Sequence, residues 1–293
     1  MFGFLASFLY KCCWKRLLRL ITGKCELVRI CERFPLGTAR TVEIERCLKS
    51  SKSEVLRRLI DSPDVDVHSS VQEVLDIKNI PAEKFSQFSQ AFGVCLTQIV
   101  GTSKLLREVN SMKAEKYSES NPQHEKELLE LWELLMPDRA LTNRHSEQWK
   151  EIGFQGNNPA TDFRGMGILG LRNLCYFAKK HTSVARQLVS HSNHPRLGYS
   201  FAVIGINLTS LLIDLLESRS LRVHFYNMAI GGDPNIDLFH EAYCYVFTEF
   251  DSYWREKRPE NLLAFPRIRD ELYTLLKTRL ESDTKTSFVL DSS

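Results

Sequence analysis

The segment "YSFAVIGINLTSLLIDLLES" at 199–218 is the most apolar internal stretch of the chain, and it limits the folds that the chain can adopt. Asn207 and Asp214 interrupt it, whereas a bilayer span needs about 20 mostly apolar residues. We therefore interpret it as the central buried helix of a bundle, with a membrane span as the alternative.

Helical periodicity recurs on both sides of this segment. Residues 41–115 look helical throughout, and amphipathic helices are also predicted at "LLELWELLMPDRAL", "GILGLRNLCYFAKKH" and "HEAYCYVFTEFDSYWREK". One stripe at helical spacing is typical of a core face and consists of Phe85, Phe88, Phe92, Leu96 and Ile99. No alternating strand pattern of useful length occurs. The sequence thus predicts an all-α fold, a helical bundle with a helical N-terminal extension.

Side chains that accept hydrogen bonds from free backbone N–H groups mark several expected helix starts. We expect Ser70 to cap one helix, and Asp233 or Asn235 to cap another. Behind a glycine-rich loop, Asp162 or Thr161 is the expected cap of the following helix.

Basic residues concentrate at the N-terminus. Residues 1–33 carry seven Lys or Arg against two acids, while the whole chain has a net charge of only +3, too small to indicate a nucleic-acid partner. Aromatic and basic residues there predict contact with a membrane surface through Phe4, Phe8, Trp14, Lys15 and Arg16. A mitochondrial address and packing on the protein's own body remain alternatives.

The sequence divides into four predicted parts. They are a basic, hydrophobic segment at 1–33, a helical region at 34–120, a bundle domain at 124–285 and a disordered tail at 286–293. The eight cysteines lack CxxC or zinc-finger spacing, which favours reduced thiols in the cytoplasm and predicts no metal site. Cys12 and Cys13 are candidates for lipidation.

The glycine-rich loop "GFQGNNPATDFRGMG" at 153–167 is the strongest candidate site, since the usual nucleotide, zinc-protease and hydrolase motifs are absent. Arg164 stands just before a helix, where a guanidinium can meet a phosphate with two parallel hydrogen bonds. It can instead pair with Asp162 and brace the loop. The residues alone favour the brace.

The chain from Trp149 to Phe177 resembles the signature of the ELMO domain, named after the engulfment and cell motility proteins. The resemblance covers roughly 124–285, and its densest part is "TDFRG" at 161–165. Neither armadillo-type repeats, a PH domain nor a proline-rich tail is recognisable, which favours the short branch of the family. The matching positions before and after that part are Trp149, Gly153, Phe154, Gln155, Gly156, Pro159, Gly167, Leu169, Leu171, Tyr176 and Phe177.

Short members of that family are GTPase-activating proteins for Arf-like and Arf small GTPases, and their essential arginine falls on Arg164. The resemblance implies that Gln155, Thr161, Asp162 and Gly165 support the loop or contact the GTPase. It implies no cofactor of the chain's own, because the GTPase holds GTP and magnesium. It also implies endoplasmic reticulum, lipid droplets or mitochondria as locations. A non-catalytic adaptor that binds a GTPase or an exchange factor is the alternative. The scaffold residues of the motif are Trp149, Gly153, Phe154, Pro159, Phe163 and Gly167.

Overall fold

The structure is a computed structural model that describes residues 14–62, 64–81, 86–229, 232–282 and Phe288. Within these ranges the chain forms helices joined by turns, with no strand, which confirms the predicted all-α class. The α-helices are α1 Lys15–Thr22, α2 Glu26–Arg33, α3 Thr38–Lys49, α4 Glu54–Asp61, α5 Val67–Lys78, α6 Ser86–Ala114, α7 Pro122–Leu135, α8 Gly167–Lys180, α9 Thr182–Ser192, α10 Phe201–Glu217, α11 Arg222–Met228, α12 Ile236–Lys257 and α13 Phe265–Ser282. Short 3-10 helices span Glu147–Ile152, Pro159–Arg164 and Leu262–Ala264.

The chain divides into two compact units, and the division is not sequential. The N-terminal unit comprises Met1–Leu105 together with Phe225–Pro234, and the C-terminal unit comprises Leu106–His224 with Asn235–Ser293. The segment 225–234 is joined to the first unit by the Gln98 amide, which donates to the Tyr226 carbonyl at 3.1 Å and the Ala229 carbonyl at 2.9 Å.

The core of the N-terminal unit is formed by the apolar faces of α2 to α6. Phe88 and Phe92 stack at 5.4 Å between ring centroids, and both are buried with Leu96 and Ile99. This burial confirms the core assignment of the stripe for its described members. Phe85 lies outside the described residues.

In the C-terminal unit, α10 is the buried central helix, as its composition predicted. It packs against α8 and α12, with Phe201 stacked on Phe247 at 4.8 Å. In the described part of the chain, no single helix is long and apolar enough to cross a bilayer. Among the described helices, only α10 and α11 taken together meet that measure of length and composition, and they are bent by 91°.

Two of the expected helix caps are wrong. Asp66, not Ser70, caps α5, and its carboxylate accepts from the Ser69 N–H at 2.8 Å. Asn158 caps the 3-10 helix Pro159–Arg164, and α8 begins without a side-chain cap, so neither Asp162 nor Thr161 has that role. By contrast, Asn235 caps α12 as expected.

Candidate functional site

Arg164 is the last residue of the 3-10 helix Pro159–Arg164, which we call the arginine turn. The turn starts at Asn158, whose side-chain oxygen accepts from the Ala160 N–H at 3.1 Å. Pro159 follows in the first helical position, where its missing N–H costs no hydrogen bond. An N-cap followed by proline thus sets where the turn begins.

The arginine turn is anchored by a chain of aromatic rings. Phe163 is 1% exposed and contacts Phe154 edge to face, with ring centroids 5.7 Å apart. Phe154 in turn meets Trp149, which is fully buried and donates its indole N–H to the Arg144 carbonyl at 2.8 Å. Each such ring pair contributes about 0.5–1.5 kcal/mol beyond the area it buries. Trp149, Phe154 and Phe163 are therefore core anchors.

Asp162 braces the loop, but its partner is Gln155 and not Arg164. The carboxylate accepts from the Gln155 backbone N–H at 2.9 Å. Burial raises the pKa of Asp162 above its usual value, and the Gln155 N–H and the Arg164 charge oppose that rise. The Asp162 carboxylate thereby joins the start of the glycine-rich loop, at Gln155, to the arginine turn later in the same loop.

Gly153 closes the other end of this loop. Its φ is +83°, and a Cβ there would lie within 3.0 Å of the Phe201 backbone nitrogen. The Gly153 carbonyl accepts from the Val203 N–H at 3.2 Å, which ties the loop to the first turn of α10. The loop that precedes the turn is therefore fixed to the central helix.

Arg164 itself is solvent-exposed. Within the described ranges its guanidinium makes no hydrogen bond and no ion pair; the charge of Asp162 acts on it only through space. Gly165, also exposed, follows with nothing within 4 Å of a Cβ placed on it. The side chain is free to reach a partner molecule.

Helix α8 provides a firm support behind the turn. Its first residue, Gly167, has a φ of +54°, and a Cβ there would lie within 3.0 Å of three backbone carbonyl oxygens at the end of α6. The Ile168 N–H donates to one of them, that of Glu115, at 2.8 Å. Ile168, Leu171 and Phe177 are fully buried. The turn is thus continuous with one of the best-packed helices of the unit.

Asn158 is held by a polar cluster that the sequence analysis does not predict. Arg144 contacts Glu125 through two hydrogen bonds of 2.5 and 3.0 Å, and lies 3.4 Å from the Asn158 side-chain oxygen. The Asn158 amide donates to Glu119 at 2.7 Å, and the Tyr117 hydroxyl bonds Glu125.

Burial acts to raise the pKa of Glu125, but the hydrogen bonds from Arg144 and Tyr117 outweigh it and hold the pKa below its usual value. Asn158 could have been found from its place before Pro159. Arg144 and Glu125 are 19 positions apart, and no local signal connects them.

The membrane-contact candidates are described only in part. Trp14 is 56% exposed at the start of α1. Phe4 and Phe8 lie outside the described residues, as do the side chains of Lys15 and Arg16. Cys12 and Cys13 also lie outside them, and none of the six cysteines in the described ranges forms a disulfide.

The described residues contain no group of three or more His, Cys, Asp or Glu side chains that could hold a metal ion. The candidate site is the exposed guanidinium of Arg164 on a braced turn. Such a site can offset negative charge on a molecule that docks against it.

The ELMO/CED-12 family profile matches residues 107–269, which include the glycine loop, the arginine turn and α8. Human ELMO domain-containing protein 2 is 46% identical over 263 residues, covering 90% of this chain and 89% of the relative. Mouse ELMO domain-containing protein 1 is 39% identical over 296 aligned positions, covering 95% and 90%. Dictyostelium discoideum ELMO domain-containing protein B is 32% identical over 270 positions, covering 89% and 92%. The chain belongs to the ELMO/CED-12 family.

Proposed function

We propose that this chain is a GTPase-activating protein for Arf-like and Arf family small GTPases, and that it supplies Arg164 in trans to their active site. The observation that carries the proposal is the exposed, unpaired guanidinium of Arg164 at the end of a braced turn. The resemblance of "TDFRG" to the motif of the short ELMO proteins supports the same residue.

The chemistry needs little more than one well-placed cation. In GTP hydrolysis, negative charge spreads over the transferred phosphoryl oxygens, and a GTPase alone compensates that charge poorly. A guanidinium inserted by a partner stabilises the transition state and accelerates hydrolysis by about 10³–10⁵-fold. On this proposal the GTPase holds GTP and magnesium, and the chain needs no nucleotide site or cofactor of its own.

A catalytic arginine must also be held still, because electrostatic stabilisation depends on groups that are already oriented. The Asp162–Gln155 hydrogen bond and the buried Phe163 provide that rigidity on one side. Helix α8 provides it on the other. Thr161 and Gly165 are exposed beside Arg164, so we assign them to contact with the GTPase.

Single-turnover GTP hydrolysis by purified Arf-like and Arf GTPases tests the proposal. The parent chain should accelerate hydrolysis by at least one of them, and Arg164→Ala and Arg164→Lys should abolish most of that effect. Lysine keeps the charge but loses the planar fork of donors. The matched control is Arg196→Ala, which removes an exposed arginine of the same unit and should leave the rate unchanged.

Unchanged acceleration by folded Arg164→Ala protein would exclude the arginine mechanism. Binding tests the adaptor alternative: an activator should prefer the GTPase bound to a transition-state mimic, whereas an adaptor binds without acceleration and is insensitive to Arg164→Lys.

For location, we propose that the basic, aromatic N-terminal segment holds the protein at cytoplasmic membrane surfaces. The family resemblance favours endoplasmic reticulum, lipid droplets and mitochondria. The exposed Trp14 supports membrane contact.

A further inference from the structure

A cavity of about 390 Å³ lies in the N-terminal unit, far in sequence from the arginine turn. It forms where the C-terminal ends of α1, α3 and α5 meet the first turns of α2 and α4. Pockets for small ligands have volumes of about 300–1,000 Å³, so this one can hold a compact molecule. The side chains that define its chemistry are those of Arg19, Arg29, Lys52, Lys78, Ser51 and Ser53.

Arg29 is the most informative of these residues. Its Nη1 atom is completely buried and has no hydrogen-bond partner. In the described ranges only one other side-chain polar atom shares that condition, the neutral hydroxyl of Tyr243. A buried charged donor is unfavourable unless something accepts from it. Arg29 is also among the residues that line the cavity, so its guanidinium lies beside a space that an acceptor can occupy.

The charge of the cavity favours an anion. Four cationic side chains line it, and Glu26 is the one acid among the described lining residues. The Glu26 carboxylate accepts from the Cys47 thiol at 3.2 Å. Arg19 is fixed at the rim by donating to the Lys78 carbonyl at 3.0 Å. Guanidinium, ammonium and hydroxyl groups together are the usual donors to phosphate.

Helix α1 beside the cavity has an exposed apolar face. Leu20 is 82% exposed and Ile21 is 72% exposed. The Arg19 side chain points to the opposite side of this helix, toward Lys78. An amphipathic helix with this pattern is suited to a membrane surface. Because α1 also lines the cavity through Arg19, a lipid headgroup is one candidate source of a phosphate bound there.

We propose that this cavity is a binding site for a phosphate monoester, and that Arg29 is its central donor. A phosphorylated inositol lipid and a soluble phosphate ester both present this group. The site lies entirely in the N-terminal unit, and the proposal does not depend on GTPase activation.

Vesicle sedimentation with the full chain tests the proposal. The vesicles are phosphatidylcholine alone, phosphatidylcholine with phosphatidylserine, and phosphatidylcholine with a phosphorylated phosphatidylinositol at matched surface charge. Phosphatidylserine has no monoester, so it reports binding by general charge, including that of the N-terminal segment. The parent chain should prefer the monoester vesicles if a lipid headgroup fills the site, and equal binding to both anionic vesicles would exclude a headgroup ligand.

Two matched variants assign the preference to the cavity. Arg29→Met should weaken binding to monoester vesicles by about 10–100-fold, as expected for lost charge-assisted hydrogen bonds. Arg58→Met removes an exposed arginine of the same unit outside the cavity and should leave binding within about twofold of the parent. Equal loss in both variants would show a general charge effect and refute the site.

Thermal unfolding without ligand provides a second readout. Removing the unpartnered buried Nη1 donor should leave the Tm of Arg29→Met unchanged or raised, since ligand sites often reduce stability. A lowered Tm would mean that Arg29 stabilises the fold and would contradict the proposal.

Inositol phosphate in solution separates the two sources of the group. Displacement of the protein from monoester vesicles by the soluble ester identifies a headgroup site. Arg29-dependent binding of the ester by a chain that shows no preference for monoester vesicles identifies a soluble ligand for the same site. No Arg29-dependent binding in either form refutes it.

Discussion

Gly167→Ala should strongly destabilise the C-terminal unit. Gly167 has a φ of +54°, in the left-handed region. Its missing Cβ faces the carbonyl oxygens of Met112, Lys113 and Glu115, all within 3.0 Å. An added methyl must therefore adopt an unfavourable backbone conformation and also push α8 away from the end of α6.

These two effects set the magnitude. Holding alanine in the left-handed region costs about 1–2 kcal/mol, and forcing a methyl against a packed neighbour costs about 1–3 kcal/mol. The free energy of unfolding should fall by about 2–5 kcal/mol in total. For a unit of this size, each kcal/mol lowers the Tm by about 2–4 °C.

The matched control is Gly165→Ala, the same substitution two residues earlier. Gly165 has a φ of −83° and nothing within 4 Å of a Cβ. Alanine there should be neutral or raise stability by about 0.4–1 kcal/mol, because it restricts the unfolded chain.

Urea unfolding followed by tryptophan fluorescence measures both variants. Trp132, Trp149 and Trp254 are buried in the C-terminal unit, so the signal reports chiefly on its unfolding. A Gly167→Ala loss below about 1 kcal/mol, or a loss equal to that of Gly165→Ala, would refute the packing argument.

Three further predictions concern the polar support and the N-terminus. Asn158→Ala removes the cap of the arginine turn, so the free energy of unfolding should fall by about 1 kcal/mol. GTPase activation should decline through kcat rather than KM. The control Asn157→Ala alters an exposed neighbour and should have neither effect. Glu125→Gln weakens the pair with Arg144 and should cost about 1–3 kcal/mol at neutral pH. Because the pKa of Glu125 is lowered in the folded state, its contribution to the free energy of unfolding is present above the ordinary carboxyl pKa and is lost as the pH falls through the folded-state pKa. The acid denaturation curves of the parent and the variant should therefore converge at low pH. Deleting residues 1–24 should release the protein from organelles and from vesicles without phosphate monoesters; persistent binding there would place the anchor elsewhere.

Much of the helical architecture could be read from periodicity. The stripe containing Phe88 and Phe92 is buried, and α10 is the central helix that its composition predicted. These inferences succeed because an apolar face repeated at helical spacing has to be buried wherever the helix lies. Cap assignments were less reliable, as Asp66 and Asn158 show, because several short polar side chains near a helix start compete for the same N–H groups.

Arg164 could be selected by its motif alone, but its availability could not. The sequence allowed Asp162 to pair with Arg164 or to serve elsewhere. The fold brings the Gln155 N–H to the Asp162 carboxylate at 2.9 Å, and the guanidinium remains exposed. The partner of Asp162 depends on the path of the whole loop, which Gly153 fixes against α10.

The sequence by itself determined the helical class and the family, and its motif made Arg164 the candidate to meet a phosphate. Only the tertiary structure decided which side chains support that arginine, that residues 225–234 belong to the N-terminal unit, and that Arg29 lines a basic cavity. The physical reason is range. Helix formation and the motif depend on neighbours within a few positions, whereas the Arg144–Glu125 pair and the Gln98–Tyr226 hydrogen bond join residues 19 and 128 positions apart.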